Sequence, residues 1–63
     1  MLLLMLQTDW VLLELAANRP LENLSEFHLR IAKRLEARGF LRFWCGKWFA
    51  TRAGLTAIAR TVH

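Results

Sequence analysis

The stretch RLEARGFLRFWCGKWFATRAGLTAIA, Arg34–Ala59, decides the fold. A helix runs through Arg34–Arg38 and meets Gly39, the residue that most cheaply takes the left-handed conformation at a helix end. Phe40–Trp44 and Trp48–Thr51 are short, aromatic and β-favouring. Cys45, Gly46 and Lys47 between them have hairpin-turn length, with Gly46 supplying positive φ. Alternation puts Leu41 and Phe43 on one face of the hairpin and Arg42 and Trp44 on the other. Thr51 then caps a last helix, with Leu55, Ile58, Ala59 and Val62 as its inward stripe.

Working back from that stretch, a helix is predicted from Asn23 or Ser25 to Arg38, with Leu24, Phe27, Ile31 and Leu35 as its buried stripe. Asn23 or Ser25 caps its start, and Glu22 and Glu26 favour the positive end of its dipole. Arg30, Lys33, Arg34 and Ala37 lie on the opposite side, and Gly39 ends the helix against the core. A first helix is predicted from Leu2 to Ala17. Its polar positions Gln7, Glu14 and Asn18 make one narrow stripe, so protein should wrap it nearly all round, part from its own domain and part from another chain. The alternative is an N-cap at Thr8 or Asp9 behind a short strand over residues 1–6. Asn18, Arg19 and Pro20 end this helix.

The second half of the chain resembles the winged helix-turn-helix family of DNA-binding regulators. The matching residues are Leu35, Glu36, Arg38, Gly39, Phe40 and Leu41, the turn at Gly46, and then Thr51 and Gly54. The resemblance implies a mainly α fold with a small β-hairpin, one winged-helix-like domain over residues 1–63. It also implies that Trp48 and Ala50 face the core, leaving Phe49 beside Trp44. One departure stands out: the interval Pro20–Arg38 holds one good helix and at most a single turn at Leu21–Leu24. The support helix of the family is therefore shortened or missing, as in the very small prophage-type members that the chain is similar to.

Composition narrows the partner classes. Sixty-three residues bury only about 60% of the surface that the unfolded chain exposes. Apolar residues are 56% of the chain, more than one small core hides, which points to a partner or a homodimer. The net charge of +4 arises from nine Lys and Arg against five acids, and nucleic acid or an acidic protein surface is the natural counterpart. The lone Cys45 forms no intramolecular disulfide and fits a cytoplasmic protein. The opening MLLLML is interrupted at Gln7, Thr8, Asp9 and Glu14, well short of the roughly 20 apolar residues of a membrane span.

The resemblance implies that Arg30, Lys33 and Arg34 face the major groove of double-stranded DNA, with Arg42 and Lys47 on the wing and Arg19 in the preceding loop touching the backbone. An ordinary solvated helix face is the bland reading of the same residues. Trp44 and Phe49 leave three readings open: stacking on a base or sugar, contact with a protein partner, and packing against a dimer mate. The last two are commoner for such a patch, and Leu2, Leu3 and Leu6 suit a homodimer interface. His28, His63 and Cys45 lack the paired spacing of a metal site, and no catalytic arrangement or cofactor motif is expected. The lead function is thus a dimeric DNA-binding transcription regulator of phage type. The alternative is a winged-helix-shaped inhibitor or adaptor that holds an acidic protein surface.

If the N-terminal leucines join two copies, light scattering at micromolar concentration reads a dimer. The Leu2→Lys, Leu6→Lys double variant then reads as monomer or aggregate, and a stable monomer for the parent chain removes the interface.

Overall fold

The computed structural model describes residues 5–61, which form α1 (Gln7–Asn18), α2 (Glu26–Ala37), β1 (Leu41–Trp44), β2 (Lys47–Ala50) and α3 (Arg52–Thr61). This helix, helix, hairpin, helix order is a winged-helix-like layout, mainly helical with one antiparallel hairpin.

The first helix starts later than its apolar run predicts. Met5 and Leu6 precede it, Leu6 is its extended N-cap, and no side chain caps it, so neither a start at Leu2 nor a cap at Thr8 or Asp9 is found. Residues 1–4 lie outside the described part, and with them Leu2, Leu3 and Leu4. The chain itself covers one side of α1. Asp9, Leu12, Leu13 and Ala16 are buried, while Val11 and Leu15 are exposed. A helix needs only one covered stripe to be held, and the chain between α1 and α2 supplies no element for the other flank.

That connection runs extended. Leu21 forms an isolated β-bridge with Trp48, its N–H donating to the Trp48 carbonyl at 3.0 Å and its carbonyl accepting from Trp48 N–H at 2.8 Å. No helical turn forms at Leu21–Leu24, and Asn23 takes φ 56° rather than capping α2. Ser25 is the cap, with its hydroxyl accepting from His28 N–H at 3.3 Å. Ile31, Ala32 and Leu35 make the buried face of α2. Phe27, predicted inside, is 57% exposed, because no helix forms between α1 and α2 to cover it.

The hairpin turns on two residues rather than three. Cys45 at φ 52° and Gly46 at φ 77° are both left-handed, so Lys47 pairs with Trp44 as the first residue of β2. Two positive φ values match the twist of the flanking strands. Register then sets Leu41 opposite Ala50, Arg42 opposite Phe49 and Phe43 opposite Trp48. Because Trp48 gives both backbone groups to Leu21, it meets Phe43 as a non-hydrogen-bonded pair, the closer kind, and their ring centroids lie 4.8 Å apart. Trp48 is buried and Ala50 half-buried, as the family resemblance implies.

Thr51 ties the hairpin to both helices beside it. Its hydroxyl donates to the Gly39 carbonyl at 2.6 Å and accepts from Gly54 N–H at 3.1 Å, and its own N–H donates to the Phe40 carbonyl at 2.9 Å. Gly54 is buried. A Cβ there would run into the Phe40 carbonyl oxygen and lie 3.1 Å from Leu13 Cδ1. The close approach of α3 at this point fixes its rotation, so Gly54, Ala57 and Ile58 face inward. Leu55 and Ala59, predicted inside, are exposed, and Val62 lies outside the described residues. Leu12, Leu13, Ala16, Ile31, Ala32, Leu35, Leu41 and Trp48 form one core cluster, with Ile58, Phe40 and Trp10 packed against it.

The glycines therefore differ in kind. Gly39 at φ 83° has nothing within 4 Å of the position a Cβ would take, so it is needed for its backbone angle and not, as its sequence position implies, for contact with the core. Gly54→Ala should cost about 1–3 kcal/mol by overpacking. Gly39→Val should cost about 1–2 kcal/mol from the left-handed backbone alone, and Gly46→Asn least, since Asn tolerates positive φ. Thermal unfolding orders the three, and equal losses would contradict these placements.

Candidate nucleic-acid interface

The two helices meet through an ion pair. Asp9, in the first turn of α1, is 2% exposed, and its Oδ1 accepts from Arg34 Nη2 in the last turn of α2 at 2.6 Å. Each charge also suits its own helix end, acid at the amino end and base at the carboxyl end. Burying a carboxylate without a partner is costly, so Arg34 is the group that makes the position of Asp9 tolerable. Arg34 remains 48% exposed by side chain, yet its guanidinium is oriented by α1 rather than turned freely to solvent.

The other predicted contacts are placed differently. Arg30 and Lys33 are exposed on the outer side of α2, and Arg19 is exposed at the end of α1. Arg42 and Lys47 stand on the hairpin, both exposed. Directly opposed residues of an antiparallel pair share a face, so Arg42 with Phe49 and Trp44 with Lys47 make up the outer face of the wing. Trp44 is 59% exposed and Phe49 half-buried. Leu6 is exposed, whereas Leu2 and Leu3 lie outside the described residues.

Arg52 joins this group without having been singled out in the sequence. It opens α3 directly after Thr51, and with Arg42, Trp44, Phe49, Ala50 and Thr51 it lines an open cleft of about 630 Å³. Counting charge by segment finds it. Residues 1–39 hold Arg19, Arg30, Lys33, Arg34 and Arg38 against Asp9, Glu14, Glu22, Glu26 and Glu36, a net of zero. Residues 40–63 hold Arg42, Lys47, Arg52 and Arg60 with no acid, so the whole +4 sits on the hairpin and α3. No ion pair among the described residues engages Arg42, Lys47 or Arg52.

A second surface holds no Asp, Glu, Lys or Arg. Gln7, Thr8, Val11, Leu12 and Leu15 of α1 and Phe27 and His28 of α2 line a groove of about 340 Å³. It occupies the flank where α2 begins and no further helix covers it. The His28 Nδ1 bonds the Ser25 hydroxyl at 2.8 Å and its ring lies edge-on to Phe27, so this histidine serves the helix start. Among the described residues there is no group of three or more His, Cys, Asp or Glu able to hold a metal ion, and no helix long and apolar enough to cross a membrane. No family model, curated protein or solved structure matches the chain.

The Asp9–Arg34 pair predicts an asymmetry. Arg34→Ala strands a buried carboxylate and should cost about 1–3 kcal/mol. Adding Asp9→Asn to that variant removes the stranded charge and should restore part of the loss. A thermodynamic cycle by chemical denaturation measures the coupling, and simple additivity of the two changes would refute a paired role.

Proposed function

We propose that the protein is a small winged-helix regulator of transcription that binds double-stranded DNA in the cytoplasm, presents α2 to the major groove and sets the hairpin against the flanking backbone. It is a binding protein, not an enzyme. The observation that carries this reading is the concentration of the entire +4 charge on the hairpin and α3, next in the chain to a helix whose outer side bears Arg30 and Lys33. A one-signed surface of this kind neutralises phosphates and raises the rate of encounter with a polyanion. Sequence reading falls to Arg30 and Lys33, since Arg can bridge guanine edges, while Arg34 holds α2 at its angle to α1. A homodimer joined through the N-terminal run, with Leu6 exposed at the head of α1, would present two such units to a two-fold symmetric site.

A second reading is favoured by the mostly apolar α1–α2 groove with exposed Val11, Leu15 and Phe27. An apolar surface of that kind suits a protein partner, as in an inhibitor or adaptor. In that case the wing would hold an acidic protein surface.

Duplex titrations at a series of salt concentrations separate the two. DNA binding gives an affinity that falls steeply with salt, a loss of about 1–3 kcal/mol with relaxed sequence preference for Arg30→Ala if it reads a base, and a salt slope lowered by about one unit for Lys47→Ala. Absence of salt-sensitive affinity for any duplex, with a pull-down partner lost in Phe27→Ala or Trp44→Ala, replaces the DNA reading with the protein-binding one.

A further inference from the structure

The outer face of the wing has more on it than a phosphate contact requires. Register places Arg42 beside Phe49 and Trp44 beside Lys47, so the two aromatic rings occupy one diagonal of the face and the two cations the other. Arg52 closes one end of the same cleft, and no carboxylate lines it. Diagonal neighbours in an antiparallel pair stand about 7–8 Å apart along the backbone. The cleft of about 630 Å³ falls within the roughly 300–1,000 Å³ of sites that hold small ligands.

A duplex has little use for these rings. Its bases are stacked with their faces hidden, and what it offers a wing is phosphate and sugar, which Arg42, Lys47 and Arg52 serve alone. A second copy of the chain is disfavoured too, because a symmetric contact through this face would gather Arg42, Lys47 and Arg52 of both copies into one interface with no acid on the face to offset them. An exposed Trp44 ring with the half-buried Phe49 on its diagonal, alternating with cations, suits one chemistry best: an unpaired nucleotide, its base stacked on a ring and its phosphates on the flanking arginines.

We propose that the outer face of the hairpin binds unpaired nucleotides of a single strand, with Trp44 as the stacking platform, Phe49 as its second wall, and Arg42 and Arg52 on the phosphates. This deepens the nucleic-acid reading above, for it places a single-stranded segment beside a duplex held by α2. Trp44 touches only the strand, so its loss leaves contacts of α2 with the duplex in place.

The test uses fluorescence anisotropy with four probes: a blunt duplex, the same duplex with an oligothymidylate tail, the same duplex with an abasic deoxyribose-phosphate tail of equal length, and the free oligothymidylate. The tailed duplex should bind about tenfold or more tighter than the blunt one, the abasic tail should give little of that gain, and Trp44→Ala should abolish it while Trp44→Phe, which keeps a ring, retains most. Equal gains from the thymidylate and abasic tails, or a gain unchanged in Trp44→Ala, reduce the face to phosphate contacts and overturn the proposal. If the blunt duplex binds and the tail adds nothing, the proposal fails and the duplex reading stands. If the blunt duplex does not bind but the free oligothymidylate does, with the same dependence on Trp44, the duplex reading fails and the proposal stands. Affinity for an acidic, aromatic-containing peptide without affinity for oligothymidylate assigns the face to a protein and overturns it.

Discussion

Everything around the wing depends on the hydrogen bonds of Thr51. One hydroxyl holds the carbonyl at the end of α2, at Gly39, and the amide of Gly54 in the first turn of α3, while the Thr51 amide holds the Phe40 carbonyl at the root of β1. Four elements are thereby joined at one residue. Gly54 completes the junction, because only a residue without a side chain lets α3 lie against the Phe40 carbonyl and Leu13. The direction in which the hairpin projects, and hence the placement of Arg42, Trp44, Lys47 and Phe49, follows from this junction rather than from the hairpin turn. A short hairpin has little stability of its own, so its attachment determines its orientation.

A second junction sets the angle between α1 and α2, and it changes how the basic face of α2 is understood. Arg30, Lys33 and Arg34 look alike in the sequence, but Arg34 is committed to the buried Asp9 carboxylate. The extended connection through Leu21 has two effects of opposite kind. It adds a third backbone partner to the hairpin through Trp48, and it leaves the flank of α1 and the start of α2 without a cover, which is why Val11, Leu15 and Phe27 meet solvent. The segment between α1 and α2 thus supplies sheet pairing at one end and no cover at the other.

What was legible in the sequence is what the backbone demands. Gly39, Gly46 and Thr51 each answer a requirement local to a few residues, so their roles follow from neighbouring positions, while the cap of α2 was legible only as Asn23 or Ser25, of which the structure uses Ser25. The alternation of the hairpin was equally readable, since a period of two admits no intermediate orientation. Phe27 and Leu55 were not, because helical spacing gives the direction of a face without saying which flank another element will cover. Asp9 was missed for a different reason: a carboxylate in a first turn reads as a solvated charge until the end of α2 brings Arg34 alongside. Arg52 was hidden by quoting charge for the chain as a whole, when the acids all precede Gly39.

That division of charge makes the molecule an electric dipole in practice, with its centre of charge displaced toward the hairpin and α3. The field of a polyanion decays over about 8 Å at physiological ionic strength, so a strand of phosphates acts most on the charges nearest to it. It attracts the acid-free hairpin and α3 more strongly than the charge-balanced residues before them, and the difference acts as a torque. The chain is turned before it touches, so fewer of its collisions are spent in the wrong orientation. Such alignment fades with added salt faster than contact itself does, because it acts through solvent over distance.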